Sequence, residues 1–339
     1  MRFVPHTRTG RFALLAVVVV GLGALLVWRG PDLDLVGRAF GAVEWRWVVA
    51  AVAINLFSVV VRAWAWRIVI KQAVPAPWPT RRNVFAAFCV GLLGNAALPG
   101  RVGELARVAV VTRHLRRRPG TWATIVGTVF AHRMFDVVVA AALVLYVLYT
   151  ARIPAWAETG LGVVLGIGLG LFLAAVLLAR RHHRPLVDEL GPVRRLLRLA
   201  RHGLTVLRRP AALPALFLQV LGWTAQIFAV WTAFKAFSIE ASIPAAAVVL
   251  VIMNLVMIFP FWPGNVGLVQ AAIALVLLPY GVAYGHGFLY GIGLQAIEAS
   301  VGVGLGLVFL VREGFSFAML RRMPEVTDVD VDERVERVA

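Results

Sequence analysis

Three ionisable residues, His132, Arg133 and Asp136, stand inside one apolar run, Thr121 to Tyr149. Residues three and four apart share a helix face, so all three point the same way. At ~1.5 Å per residue they lie roughly 16–23 Å into the run. A charge at that depth costs roughly 2.5–3.5 kcal/mol on insertion and turns to protein or to water. The chemistry open to such a group is an ion pair that holds a bundle together, or a polar path for a charged substrate. His132 could also carry a proton near neutral pH. Arg62 sits about 12 Å from one end of its own apolar run. Glu298 lies near the middle of the last one with no basic neighbour in sequence, which leaves Arg133 or Arg62 as distant candidates. Gln219 and Gln226 share a face with Trp223 and read as well as interhelical glue as substrate contact. Finally, Arg101, Glu104 and Arg107 follow one another at intervals of three. Free N–H groups and partial positive charge at a helix N-terminus suit a phosphate, and two guanidiniums would add bidentate donors. Glu104 equally reads as a first-turn carboxylate that favours the helix dipole.

The elements that position these groups are membrane helices. The chain of 339 residues is 60% hydrophobic with a mean hydropathy of +0.83, and apolar runs near twenty residues mark spans. Spans are expected near Phe12–Trp28, Trp47–Ile70, Thr121–Tyr149, Gly160–Ala179, Ala211–Phe234 and Gly287–Val311. The first is flanked by arginines and lacks a small-residue cleavage site, so it is expected to stay as a span. Two further segments are interrupted by a repeated string. Pro99-Gly100-Arg101-Val102-Gly103 and Pro263-Gly264-Asn265-Val266-Gly267 lie 164 residues apart. Proline removes a donor and glycine weakens a helix, so each string breaks one. Asn83–Leu98 with Val102–Thr112, and Ala245–Phe259 with Val266–Tyr280, then read as two pairs of half-helices. Matched Gly/Pro breaks in the two halves of a membrane chain point to a transport site.

Arginine placement orients the spans. The net charge is +17, from 34 basic and 17 acidic residues. The arginines cluster at the N-terminus, around Arg113–Arg118, between Arg180 and Arg209, and after Arg312, while the alternate loops carry few. The positive-inside rule then puts both termini in the cytoplasm, and contact with anionic lipid explains the bias better than nucleic-acid binding does. The first broken pair enters and leaves from the cytoplasm, the second from the outside. The expected fold is all-α: a polytopic membrane helix bundle of six full spans plus two broken re-entrant helix pairs, related as an inverted-topology repeat. An eight-span layout without re-entrant pairs is the alternative. The 164-residue offset also aligns Asn55 with Gln219 and Arg62 with Gln226. The expected domain is 1–311, with repeats at about 11–150 and 159–311. A cytoplasmic tail, 312–339, carries too many carboxylates and too few large apolar residues to fold. The arginine-rich segment from Arg180 to Arg209 reads as an amphipathic surface helix. The single cysteine, Cys89, excludes an intramolecular disulfide.

Taken together, Asn95, Leu98, Pro99, Arg101, Gly103, Glu104 and Arg107 resemble the Asn…Pro-x-Arg-x-Gly-acidic-x-x-Arg motif of the transmembrane region of lysylphosphatidylglycerol synthases, a flippase-like family with stand-alone members. Arg133 and Asp136 are similar to its Arg-x-x-Asp. Pro260, Pro263, Gly264 and Gly267 resemble its second Pro-x-x-Pro-Gly-x-x-Gly signature. The chain departs from the pattern at His132, often acidic, at Asn265, usually glycine, and at Gln270, often glutamate. The synthase domain of the full-length enzymes has no counterpart here.

The resemblance implies a stand-alone flippase-like protein, without enzymatic activity or a cofactor, that carries an anionic lipid between leaflets. The lipid class implied is a phospholipid or a polyprenyl-phosphate lipid, and the location is the cell (plasma) membrane. The expected substrate contacts are Asn95, Pro99, Gly100, Arg101, Gly103, Glu104, Arg107, Arg133, Asp136, Pro263, Gly264, Asn265, Gly267 and Glu298, with Arg62, His132, Gln226 and Gln270 as further candidates. A membrane scaffold or partner subunit for a lipid- or glycan-modifying enzyme is the alternative. No metal-spaced His/Glu motif and no nucleophile elbow is present.

Overall fold

A computed structural model of the chain describes residues 41, 43–97, 103–115, 121–180, 211–258 and 263–312. The expected span at 12–28, the segment 181–209 and the tail 313–339 lie outside the described residues, as do Pro99, Gly100 and Arg101. The chain divides into a short unit, Met1–Trp45, and a main unit, Arg46–Ala339; the fold below is that of the main unit.

All regular structure among the described residues is helical. The order is α1 (Trp45–Ala73), α2 (Arg81–Ala97), α3 (Gly103–Arg113), α4 (Thr121–Thr150), α5 (Ala155–Arg180), α6 (Ala212–Ala236), α7 (Ile243–Val256), a turn at Pro263–Asn265, α8 (Leu268–Leu277), α9 (Tyr284–Ala299), a π-helical stretch Ser300–Leu305, and α10 (Gly306–Arg312). Among the described residues, four helices are long and apolar enough to cross a membrane: α1, Thr124–Thr150 of α4, α6, and the continuous run Tyr284–Arg312. In the most apolar 18-residue stretch of each, between 33% and 44% is buried inside the protein, which leaves apolar side chains such as Val49, Phe57, Leu145, Phe217 and Val308 exposed.

Local chemistry sets the ends of the elements. The Thr80 hydroxyl accepts from the Asn83 N–H at 3.2 Å and starts α2. α2 stops at Ala97, two residues before Pro99, where a helix loses its donor. Pro244 sits in the first turn of α7, the position that tolerates it. α7 ends at Val256, and Pro263 opens the Pro263–Asn265 turn. Gly264, Asn265 and Gly267 there take φ of 68°, 45° and 92°, left-handed values that suit glycine and, less well, asparagine.

Each break closes a helical hairpin. α3 lies antiparallel against α2, with backbones almost touching: a Cβ on Gly103 would sit 2.0 Å from the Gly91 carbonyl oxygen and 2.5 Å from the Asn95 nitrogen. Only glycine fits there. α7 and α8 form the second hairpin, and α8 packs on α9 where Gly287 and Gly291 face Ala274 and Gln270. The Pro263–Asn265 turn of the second hairpin packs against α2 of the first.

Among the described residues two large apolar cores form beside a small cluster of Val69, Ala131, Phe135 and Ala215, and each large core takes in part of a long span from the other half. One joins Trp66 of α1, Phe88 of α2, Val108 of α3 and Ile125 of α4 to Val301 and Leu310 near the end of the last span. The other joins Phe234 of α6, Leu250 of α7, Ile273 of α8 and Tyr290 of α9 to Val139, Leu143 and Val147 near the end of α4. Thus α4 starts against the first hairpin and ends against the second, while the run Tyr284–Arg312 does the reverse. Gly306 makes the second crossing possible: a Cβ there would sit 2.5 Å from Leu93 Cβ and 2.7 Å from the Cys89 carbonyl.

Candidate functional site

Six helices deliver polar side chains to one region. α4 supplies Arg133 and Asp136, the short α3 supplies Glu104 and Arg107, α2 supplies Asn95, α1 supplies Arg62, α6 supplies Gln219, Trp223 and Gln226, and α9 supplies Glu298. These groups form one continuous chain of polar contacts.

At its centre Asp136 is held from four sides. Arg62 Nη2 lies 3.2 Å from Oδ1 and Arg133 Nη1 lies 2.9 Å from Oδ2. Trp223 Nε1 donates to Oδ1 at 3.0 Å, and Gln219 Nε2 donates to the same oxygen. From Asp136 the chain runs in two directions. Toward the first hairpin, Arg133 Nη2 pairs with Glu104 Oε1, and Glu104 Oε2 pairs with Arg107 Nη2 at 2.5 Å. Asn95 Nδ2 reaches Glu104 Oε1 at 3.4 Å. Toward the last span, Arg62 Nη1 donates to Gln226 Oε1 at 3.1 Å, and Gln226 Nε2 donates to Glu298 Oε1 at 3.1 Å. Both carboxylates on the hairpin side therefore carry two guanidinium contacts, whereas Glu298 has a neutral amide.

Aromatic faces complete the desolvation of the cations. The Arg107 guanidinium lies 4.7 Å over the Trp66 ring and 5.7 Å over Phe88, and that of Arg62 lies 5.3 Å over Trp223. Trp66 is fixed in turn by its N–H to the Thr128 hydroxyl at 3.1 Å. The Arg107 side chain is 4% exposed and that of Arg133 37%, so Arg133 is the guanidinium through which the network meets its surroundings.

The second break is built differently. The Gly267 N–H, at the start of α8, donates to Gln270 Oε1 at 2.6 Å. Gln270 Nε2 donates to Gln295 Oε1, and Gln295 Nε2 donates to the Gly264 carbonyl. Asn265 turns its amide back to the Val256 carbonyl at 2.8 Å and is buried. Four neutral contacts thus clasp the turn, and they occupy one of the N–H groups that a half-helix would offer an anion.

The structure brings together most of the residues expected from the sequence. Asn95, Glu104, Arg107, Arg133, Asp136, Arg62, Gln226 and Glu298 share one network, and Gly103 forms the contact that lets α3 approach α2. Pro263, Gly264, Asn265, Gly267 and Gln270 form the separate neutral clasp. Glu298 meets neither Arg62 nor Arg133 directly; Gln226 stands between it and Arg62. His132 is buried, stacks edge-to-face on Phe88 at 6.0 Å, and neither ring nitrogen has a hydrogen-bond partner. Three contributors carry no clear sequence signal. Trp66 is one aromatic among many, Ser58 binds the Gly222 carbonyl at 2.8 Å, and Gln295 is marked only by lying three residues before Glu298 on the same helix face.

The sequence matches the family model described as the lysylphosphatidylglycerol synthase TM region over residues 13–320. It is 25% identical over 301 residues to a UPF0104 membrane protein of Methanothermobacter thermautotrophicus, covering 83% of this chain and 86% of that protein. No solved structure matches it.

Proposed function

We propose that this chain, which belongs to the lysylphosphatidylglycerol synthase transmembrane-region family, moves an anionic lipid between the leaflets of the plasma membrane without catalysing a reaction. The phosphate of a phospholipid or a polyprenyl-phosphate lipid is the recognised group, and the acyl or prenyl chains stay in the bilayer. The observation that carries this reading is the continuous network from Arg107 on the first hairpin to Glu298 on the last span. Two buried and four half-buried ionisable groups among apolar spans are costly as a mere brace. Here they line the seam between the two halves, and Arg133 stays partly open.

Two re-entrant hairpins facing opposite sides, within six spans and with both termini cytoplasmic, give this seam two possible openings. Several features support that inverted repeat. Ser58 binds Gly222 and Arg62 binds Gln226, and the residues of each pair are 164 apart, the offset between the two broken strings. Contacts between equivalent positions are what a two-fold axis through α1 and α6 produces. The two lysines, Lys71 and Lys235, differ by the same offset, and each lies over a tryptophan ring, Lys71 on Trp78 at 4.4 Å and Lys235 on Trp231 at 4.1 Å. The exchange of α4 and the last span between the two cores follows the offset as well.

The test is a reconstituted scramblase-type assay with fluorescent phosphatidylglycerol, phosphatidylcholine and a polyprenyl phosphate. Wild-type vesicles are expected to expose the anionic lipids to a membrane-impermeant quencher faster than protein-free vesicles do, and Arg133→Ala is expected to remove most of that difference. Equal rates in wild-type and empty vesicles for every anionic lipid would overturn the reading.

A further inference from the structure

We propose that Glu298 is a proton acceptor coupled to the lipid phosphate, so that one proton binds with one phosphodiester. The inference deepens the lipid reading above and rests on it. Three features of the network carry it. First, among the described residues of the network the charges balance without a ligand: Arg62, Arg107 and Arg133 face Glu104, Asp136 and Glu298. A phosphodiester of single negative charge entering this seam leaves one negative charge too many in a medium that solvates it poorly. Second, the carboxylates are not equivalent. Glu104 and Asp136 each contact two guanidiniums within 4 Å, so removing their charge would strand cations. Among the described residues Glu298 is bonded only to the Gln226 amide, which can donate to a carboxylic acid as well as to a carboxylate. Protonating Glu298 strands no cation. Third, Glu298 is half-buried and stands two residues before a π-helical stretch, Ser300–Leu305. Such a stretch is uncommon, recurs at functional sites, and carries a looser turn that can reposition its neighbours.

Among the described residues the surroundings add no competing ion. α1 presents Arg62, held off by Gln226 of α6. α8 presents Gln270. α9 itself contributes Gln295, bound to Gly264, and Tyr290, whose hydroxyl donates to the Val230 carbonyl. α2 meets the π-helical stretch and α10 through Leu92, Leu93 and the backbone of Cys89. The proton comes from bulk water and adds to a Glu298 carboxylate oxygen. Arg62 stays on Asp136, and the phosphodiester takes the charge that Glu298 gives up.

The experiment measures binding of a short-chain fluorescent phosphatidylglycerol to the full chain in a nonionic detergent between pH 5 and 8, with proton uptake followed in weak buffer by an indicator dye. By linkage, wild-type affinity is expected to rise as pH falls, approaching about tenfold per unit, with about one proton taken up per lipid bound. Phosphatidylcholine, with no net charge, and inorganic phosphate at the same concentrations are expected to give no uptake. In Glu298→Gln, which keeps the contact with Gln226, both the pH slope and the uptake are expected to vanish, whatever the absolute affinity. Binding of phosphatidylglycerol by the wild type with a flat pH profile and no uptake would overturn the coupling while leaving the lipid reading in place. A pH slope that persists in Glu298→Gln, or uptake with inorganic phosphate alone, would overturn it too. No binding of phosphatidylglycerol at any pH would overturn both.

Discussion

Replacing Asp136 by asparagine keeps size and shape but removes the charge on which the network converges. The carboxylate accepts from Arg62, Arg133, Gln219 and Trp223. An asparagine keeps one acceptor oxygen, and its NH2 group turns a donor toward Arg133 or toward the other three donors. Whichever way the amide faces, at least one guanidinium loses its contact here. Breaking a buried pair by removing one partner costs about 3–5 kcal/mol, because an uncompensated charge is left behind. Arg133 is partly exposed and keeps Glu104, and Arg62 is 16% exposed, so the low end of that range, about 3 kcal/mol, is expected. The assay is reversible unfolding in mixed detergent micelles followed by circular dichroism. Arg133→Gln added to Asp136→Asn removes one of the two cations that Asp136 contacts and is expected to recover about 1–2 kcal/mol as a coupling energy. A loss below about 1 kcal/mol for Asp136→Asn, or additivity of the cycle within about 0.5 kcal/mol, would refute the claim that this carboxylate compensates two half-buried cations.

Gly103→Ala is expected to cost about 1–3 kcal/mol in the same assay by forcing the first hairpin apart, whereas Gly285→Ala, with nothing within 4 Å, should be neutral or stabilising. Gly264→Ala places a side chain at φ 68° and 3.2 Å from Gln295 Nε2, and a loss of about 1–2 kcal/mol is expected, with no such loss if the clasp were dispensable. Single cysteines in place of Lys71 and Lys235, each in a Cys89→Ala background, are expected to react with an impermeant maleimide from opposite sides of an intact membrane. Labelling of both from one side would remove the inverted arrangement.

Much of this organisation is legible from residue types alone because membrane burial makes polar residues conspicuous. Arg133 and Asp136 declare themselves by standing three apart in an apolar run, and the structure pairs them. The two Pro/Gly strings end α2 and α7 near where a missing donor predicts. The 164-residue offset gives the Arg62–Gln226 match before any coordinates do. What the sequence hides is the third dimension. Glu298 is visible as a lone carboxylate, but its partner is a neutral amide on α6, because the ladder of contacts through Gln226 depends on how α1, α6 and α9 cross. Trp66 and Ser58 are ordinary residues of a membrane helix until Arg107 and Gly222 arrive beside them. The π-helical stretch after Glu298 has no sequence mark beyond glycines at 302, 304 and 306, which occur throughout such spans.

The two breaks carry the same string yet solve the same physical problem by opposite means. A broken helix in an apolar setting must satisfy the backbone groups it frees. At the second break Gln270, Gln295 and Asn265 do so with neutral amides, and the start of α8 is spent on a bond to its own third residue. At the first hairpin Glu104 and Arg107 of α3 are charged, and Glu104 pairs with Arg107 and with Arg133 of α4. A closed neutral clasp resists opening, since each amide withdrawn leaves an unpaired polar group behind. A charged network can exchange one anion for another and keep its pairing. On the lipid reading proposed above, charge recognition belongs to the first hairpin, and the second is the more rigid of the two. The Gln226 bridge is the joint between them: it holds Arg62 with its oxygen and Glu298 with its nitrogen, so a change in charge at either end must pull on the same amide.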